Sequence, residues 1–306
     1  MFTKTTDIST LLASDISKLT VQEISNFTRV QQENLTAEQA SGLTDKLLAA
    51  LPTKYIPADT FVGIPINAIP SLVIKSLSTE QFAALTSDQI HALIATQVNT
   101  ISKAQLSAMN SDNFAAFSIK GLSGLNVKIL PTEQLEHLTS DQIAALSGTQ
   151  FSQLSAAQIK VLTSDQASAL TPQQAVMLKS FVNISDDALT QLTPAFISAI
   201  PAATFSTLTL TQLPILLPEQ IAVVNDKQLA TLNSAKIAAL DSEDIAALSL
   251  SALKGLTKNN IGGILLSNLT NEQFNALNSQ QIGLLSTTQV SQINTENAGW
   301  LTPSIK

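Results

Sequence analysis

The sequence predicts an all-α superhelical solenoid of short helices with an eight-residue repeat. Three observations carry that prediction. Leucine, or another large apolar residue, returns every eighth position over most of the chain. A Ser or Thr stands three residues before a Gln in many of the repeats. Proline, at Pro172, Pro194, Pro218 and Pro303, stands where a helix would begin.

The columns are clearest from Leu130. LPTEQLEH is followed by LTSDQIAA, LSGTQFSQ, LSAAQIKV, LTSDQASA and LTPQQAVM. Position one is Leu and position two Ser or Thr. Two variable residues follow, then Gln at position five and an apolar residue at position six. Position eight is often small. One block runs in this frame from Leu11 to Leu51 and another from Leu77 to Leu125. Further blocks run from Ile184 to Ile264 and from Leu269 to Leu301. The frame slips near 126–129, 178–183 and 264–268. Its longest departure, 52–76, reads as an irregular segment between an N-terminal repeat block, 1–51, and a main repeat solenoid, 77–306. All three could form one continuous domain.

Each repeat contains helix-start devices. Ser or Thr at position two with Gln at position five is a capping box: the hydroxyl accepts from a free N–H of the first turn and the Gln reaches back to the cap. Thr139 with Gln142 and Thr86 with Gln89 are examples. Leu138 with Ile143 has the spacing of a hydrophobic staple across that start. Proline at the first helical position costs no hydrogen bond. Asp88, Asp141, Asp165 and Glu243 fall in the first turn, where the helix dipole favours acids. One continuous helix does not fit, since eight residues at about 100° each overshoot two turns by roughly 80° and the leucines would wind around it. Period-two alternation is missing, which opposes a β-solenoid. Helices this short must stack to bury a shared core.

Composition narrows the function. Charged residues are 13% of the chain, the net charge is −7, and Arg29 is the sole arginine. No basic stripe for phosphates follows from that, so nucleic acid is not an expected partner. There is no cysteine, which excludes disulfides and thiolate sites. The apolar stretch Phe61 to Leu77 is interrupted by Pro65 and Pro70 and predicts no membrane span. No secretory signal is read at the start.

LTSDQIAAL at 138–146 and LTNEQFNAL at 269–277 resemble the LTxxQI/V octapeptide arrays of large bacterial surface or secreted proteins. That resemblance implies an extended, noncatalytic segment and supplies no functional residues. LTPQQAVMLKS at 170–180 also resembles the opening of a TAL-effector DNA-binding repeat, but no repeat of about 33 residues, base-reading glycine loop or basic stripe accompanies it.

No catalytic, cofactor-binding or metal-ligating residue is assigned. His91 and His137 stand apart, without partners at ligand spacing. Asp186–Asp187 and Asp241–Glu243–Asp244 fall at helix starts. Gly262–Gly263 lacks the GK[ST] of a phosphate loop. The expected function is a noncatalytic spacer, stalk or fibre-forming subunit of a bacterial surface or exported assembly. The alternative is a secreted effector or binding module that holds a partner protein in its groove, in the cytoplasm or delivered to a host cell. Its partners would be protein, including itself end to end, through Tyr55, Phe61, Trp300 and Leu301.

Overall fold

The computed structural model describes residues 2–291. Among them every regular element is a helix of three to six residues, α or 3-10, and there is no strand. The chain divides into two compact units, at Leu146 and Ser147. That boundary lies inside the block 77–306 expected to be one solenoid. Trp300, Leu301 and Pro303 lie outside the described residues.

The capping chemistry forms as the sequence predicts. Gln142 N–H donates to Thr139 Oγ1 at 3.2 Å, and Thr139 N–H donates to Gln142 Oε1 at 2.8 Å. Pro172, Pro194 and Pro218 open their helices. Positions one and six make the core: Leu138 and Ile143 are 2% and 0% exposed. Position five is buried as well, although it is polar. Gln89, Gln174, Gln220 and Gln228 are all at most 1% exposed.

These glutamines join one turn of the solenoid to the next. In the second unit, Gln228 Nε2 donates to the carbonyls of Ile200 and Ile197, 28 and 31 residues earlier, both at 2.9 Å. Those carbonyls belong to position one three repeats back and position six four repeats back. One superhelical turn is therefore 28 residues, or three and a half octads. Gln220 repeats the geometry on Leu192 and Leu189. In the first unit Gln105 does so on Leu77 and Ile74. Helix ends leave carbonyls without intrahelical partners, and a helix of one turn consists of little else. Gln105, Gln220 and Gln228 each satisfy two such carbonyls below them and one cap N–H on their own helix. Each such bond contributes about 0.5–1.5 kcal/mol net, and a buried group left unmatched costs about 1–3 kcal/mol. The packed helices belong to repeats three units apart: Thr79–Ala83 packs on Lys103–Ala108 in the first unit, and Asp226–Ala230 on Ala252–Gly255 in the second.

Segment 52–76 is not irregular. Ile56, Ile64 and Leu72 continue column one, Phe61 and Ile69 continue column six, and all are buried. Three 3-10 helices, Ala58–Gly63, Ile66–Ser71 and Ile74–Ser76, take the place of α-turns. Its flanks, 51–55 and 72–76, are shortened repeats from which positions three to five are missing. Thr53 and Ile74 occupy position six there, and the next column-one residue closes the turn on each: Ile56 N–H on Thr53 at 3.2 Å, Leu77 N–H on Ile74 at 3.1 Å. Residues 125–129 and 264–268 are built alike around Val127 and Leu266. A six-residue version at 178–183 turns on Phe181. The phase slips are thus shortened repeats that keep the core columns. Where one lies within a turn, the glutamine still finds the same columns at a shorter offset. Gln81 donates to Ile56 and Thr53, 25 and 28 residues earlier.

No described residue has a positive φ, so glycine serves here for space, not for backbone conformation. At position eight, a Cβ on Gly42 would lie 2.0 Å from the Ala13 carbonyl oxygen, and one on Gly263 would lie 2.0 Å from that of Ser234. In both cases the carbonyl belongs to position three of the repeat three units back.

Candidate interaction site

The chain has one arginine and one tyrosine, and the fold of the first unit places them together. Arg29 opens the helix Arg29–Glu33, whose N-cap is Thr28. Tyr55 ends the shortened repeat 51–55, three repeats later. The Arg29 guanidinium carbon sits 4.9 Å from the centre of the Tyr55 ring, and Lys54 Nζ sits 5.1 Å from it. Arg29 Nε donates to Glu33 Oε1 at 2.7 Å across one helical turn. Hydrogen bonding and charge from Glu33 raise the Arg29 pKa further above its ordinary value.

A buried polar residue fixes the tyrosine's backbone. Gln32 occupies position six, normally apolar, and is 5% exposed. Its Oε1 accepts from Tyr55 N–H at 3.2 Å, and its Nε2 donates to the Phe27 carbonyl at 3.0 Å. The shortened repeat lacks its own capping residues, and Gln32 supplies an acceptor from the turn below. On the same side of the unit a cleft of about 310 Å³ is lined by Glu33, Asn34, Ala37, Pro57 and Asp59. The arrangement places two cations against one aromatic ring, with the Glu33 carboxylate bonded to one of them. Such a surface suits polar and π contacts with another protein.

Of the sequence-predicted residues, Tyr55 is half-buried at the surface. Phe61 is 0% exposed and fills column six, so its ring is core and is not offered to a partner. Its carbonyl accepts from Gln89 Nε2 at 2.8 Å. Arg29, Lys54 and Gln32 were not singled out from the sequence. Position eight lies over position three of the repeat three units back, which would have paired Tyr55 with Arg29, but that rule needs the length of the superhelical turn.

The histidines do not converge. His91 Nδ1 is 3.1 Å from the Ala116 carbonyl oxygen, at the surface. Among the described residues no group of three or more His, Asp and Glu comes together as a metal site would. No helix among them is long and apolar enough to cross a membrane.

No curated protein matches the sequence. Among solved structures, the leucine-rich repeat-containing protein LegL7 from Legionella pneumophila is similar at 10% identity, over 80% of this chain and 77% of that one, with a TM-score of 0.20. Residues 66–95 match the ALTTAQ repeat family. In this stretch Ala84-Leu85-Thr86-Ser87-Asp88-Gln89 runs from position eight through the cap to the buried glutamine. The match begins inside 52–76, in agreement with the columns found there, and over these residues the chain is similar to that family.

Proposed function

We propose that this protein is a noncatalytic repeat scaffold, a spacer or stalk element of a bacterial surface or exported assembly. One observation carries the reading. The buried polar side chains are spent on the backbone: Gln228 and its equivalents commit both ends of the amide to cap and turn contacts. Polar groups used in this way maintain a repeating frame and are not free for substrate. A spacer works through its length. Removing residues 184–239, seven octads and so two whole turns, should leave a folded protein, because every column keeps its register. Circular dichroism and sedimentation check the fold. The same deletion in the producing cell should shorten the assembly without abolishing it, and complete loss of the assembly despite a folded protein overturns the spacer reading. Export is tested by protease treatment of intact cells. Electron microscopy of the purified protein tests end-to-end self-association.

A second reading, a module that grips a partner protein, is favoured by the Arg29, Tyr55 and Lys54 cluster. Under that reading Tyr55→Ala and Arg29→Ala abolish capture of the partner and leave the circular dichroism spectrum unchanged.

A further inference from the structure

Position five has a consistent rule in the second unit. Whatever polar residue replaces glutamine there still donates a hydrogen bond to the turn below. Thr204 Oγ1 donates to the Leu178 carbonyl at 2.9 Å, and Asn260 Nδ2 to the Leu229 carbonyl at 3.0 Å. Lys236 Nζ donates to the Ser206 carbonyl. Asp244 is the exception. It occupies position five of the repeat that begins at Leu240, it is 4% exposed, and as a carboxylate it has no proton to give. Its Oδ2 accepts from Asp241 N–H at 3.3 Å, which is the capping half of the glutamine's role. The downward half falls, by the register of Gln220 and Gln228, on the carbonyls of Leu216 and Leu213. The turn above is held normally, since Gln273 Nε2 donates to Ile245 and Leu248 at 2.8 and 2.7 Å.

We propose that Asp244 is an acid-sensitive joint in the second unit: protonated, it donates to the preceding turn as the glutamines do, and ionised, it turns a negative charge on that turn's carbonyls. Its surroundings agree. Asp241 and Glu243 are charged neighbours on its own helix start, Ser242–Ala247. The helix Pro218–Ile221 packed against it carries only Glu219, which is exposed, and Leu266–Asn268 carries no ionisable group. The nearest preceding cation in sequence, Lys236, is spent on Ser206. Burial, followed by the charges of Asp241 and Glu243, pushes the Asp244 carboxyl up to about 6 against the hydrogen bond from Asp241. Its folded-state pKa is above its unfolded value. The stabilisation is thus full below the ordinary aspartate pKa and is lost as pH rises through about 6.

Hydrogen exchange of the full chain tests this, corrected for intrinsic rates, at about pH 5 and about pH 7.5, either side of the joint's titration. Peptides covering 213–221 and 240–248 should be protected about tenfold more at the lower pH. Asp244→Asn and Asp244→Gln supply a permanent donor, so protection in these variants should be high at both. Equal protection of the wild type at both values, or a pH difference that survives in Asp244→Asn, overturns the proposal. The side-chain carboxyl 13C resonance of Asp244 gives an independent reading on the unaltered protein: a midpoint near 6 supports the joint, and a midpoint in the ordinary aspartate range overturns it.

Discussion

Gln228 and Ile200 are 28 residues apart, and the amide of the first donates to the carbonyl of the second at 2.9 Å. The other end of that amide accepts from Asn225 N–H at 3.0 Å. One side chain therefore closes a helix start and joins two turns. Gln228→Leu keeps the volume and removes all three bonds, leaving the Ile197 and Ile200 carbonyls in the core without their donor. It should destabilise by about 2–5 kcal/mol, from bonds of about 1 kcal/mol each and the cost of unmatched buried carbonyls. Gln191 is exposed, and Gln191→Leu should change stability by less than about 0.5 kcal/mol. Urea melts of the two variants check the difference. Similar melts would remove the amide from the frame.

Two adjacent glycines separate space from flexibility. A Cβ on Gly263 would be 2.0 Å from the Ser234 carbonyl oxygen, whereas one on Gly262 would meet only Ser234 Oγ at 3.7 Å. Neither has a positive φ. Gly263→Ala must push two turns apart and should cost about 1–3 kcal/mol, as overpacking does. Gly262→Ala should be neutral or stabilise by up to about 1 kcal/mol, because it restricts the unfolded chain. Thermal melts of the pair decide, and equal losses would mean that position eight is not the contact between turns.

The sequence makes the columns, the caps and the core legible, because each is local: Leu138, Thr139, Gln142 and Ile143 lie within one repeat. The downward reach of Gln142 to Ala115 and Phe117 is not local. It depends on the turn length, which no single octad encodes. The same gap hid the pairing of Arg29 with Tyr55. Segment 52–76 misled for a different reason. Pro57 and Pro65 remove the Ser or Thr cap that marks position two, and 51–55 and 72–76 omit the glutamine. The apolar columns Ile56, Ile64, Leu72 and Phe61, Ile69 remained as the signal.

Glu23 gives an acid-range prediction of opposite sign to Asp244. Its Oε2 accepts from Thr20 N–H and from the Thr20 hydroxyl, both at 2.8 Å. These bonds, the backbone one foremost, hold its pKa below the ordinary glutamate value. A depressed pKa means stabilisation that is present above the ordinary value and is lost as pH falls through the lowered one. Carboxyl 13C titration should show Glu23 protonating below the ordinary glutamate range, and Thr20→Val should move its midpoint up. An unmoved midpoint would mean that the hydroxyl bond plays no part in solution.

Pro131 marks a defect in the frame that one substitution should repair. It stands at position two, ahead of the helix Thr132–Leu135, and being proline it has no N–H. The Gln134 amide sits in its usual place, 7% exposed, with Nε2 on the Met109 carbonyl at 3.3 Å. Its Oε1 should accept from the cap N–H, and it is the one buried side-chain oxygen or nitrogen among the described residues without a hydrogen-bond partner. Other repeats with proline at position two avoid the problem. Pro201 is followed by Thr204 and Pro57 by Thr60, whose hydroxyls donate downward to Leu178 and Leu35 and leave no amide oxygen to satisfy. Pro131→Ser supplies both the N–H that Gln134 lacks and a hydroxyl to cap the helix. It should stabilise by about 1–2 kcal/mol, the worth of a cap and a repaired buried acceptor less the entropy proline had removed from the unfolded chain. The double variant Pro131→Ser with Gln134→Leu separates the sources. Its gain over Gln134→Leu alone should shrink to that of the cap hydroxyl, and an undiminished gain would show that the orphan oxygen contributes nothing.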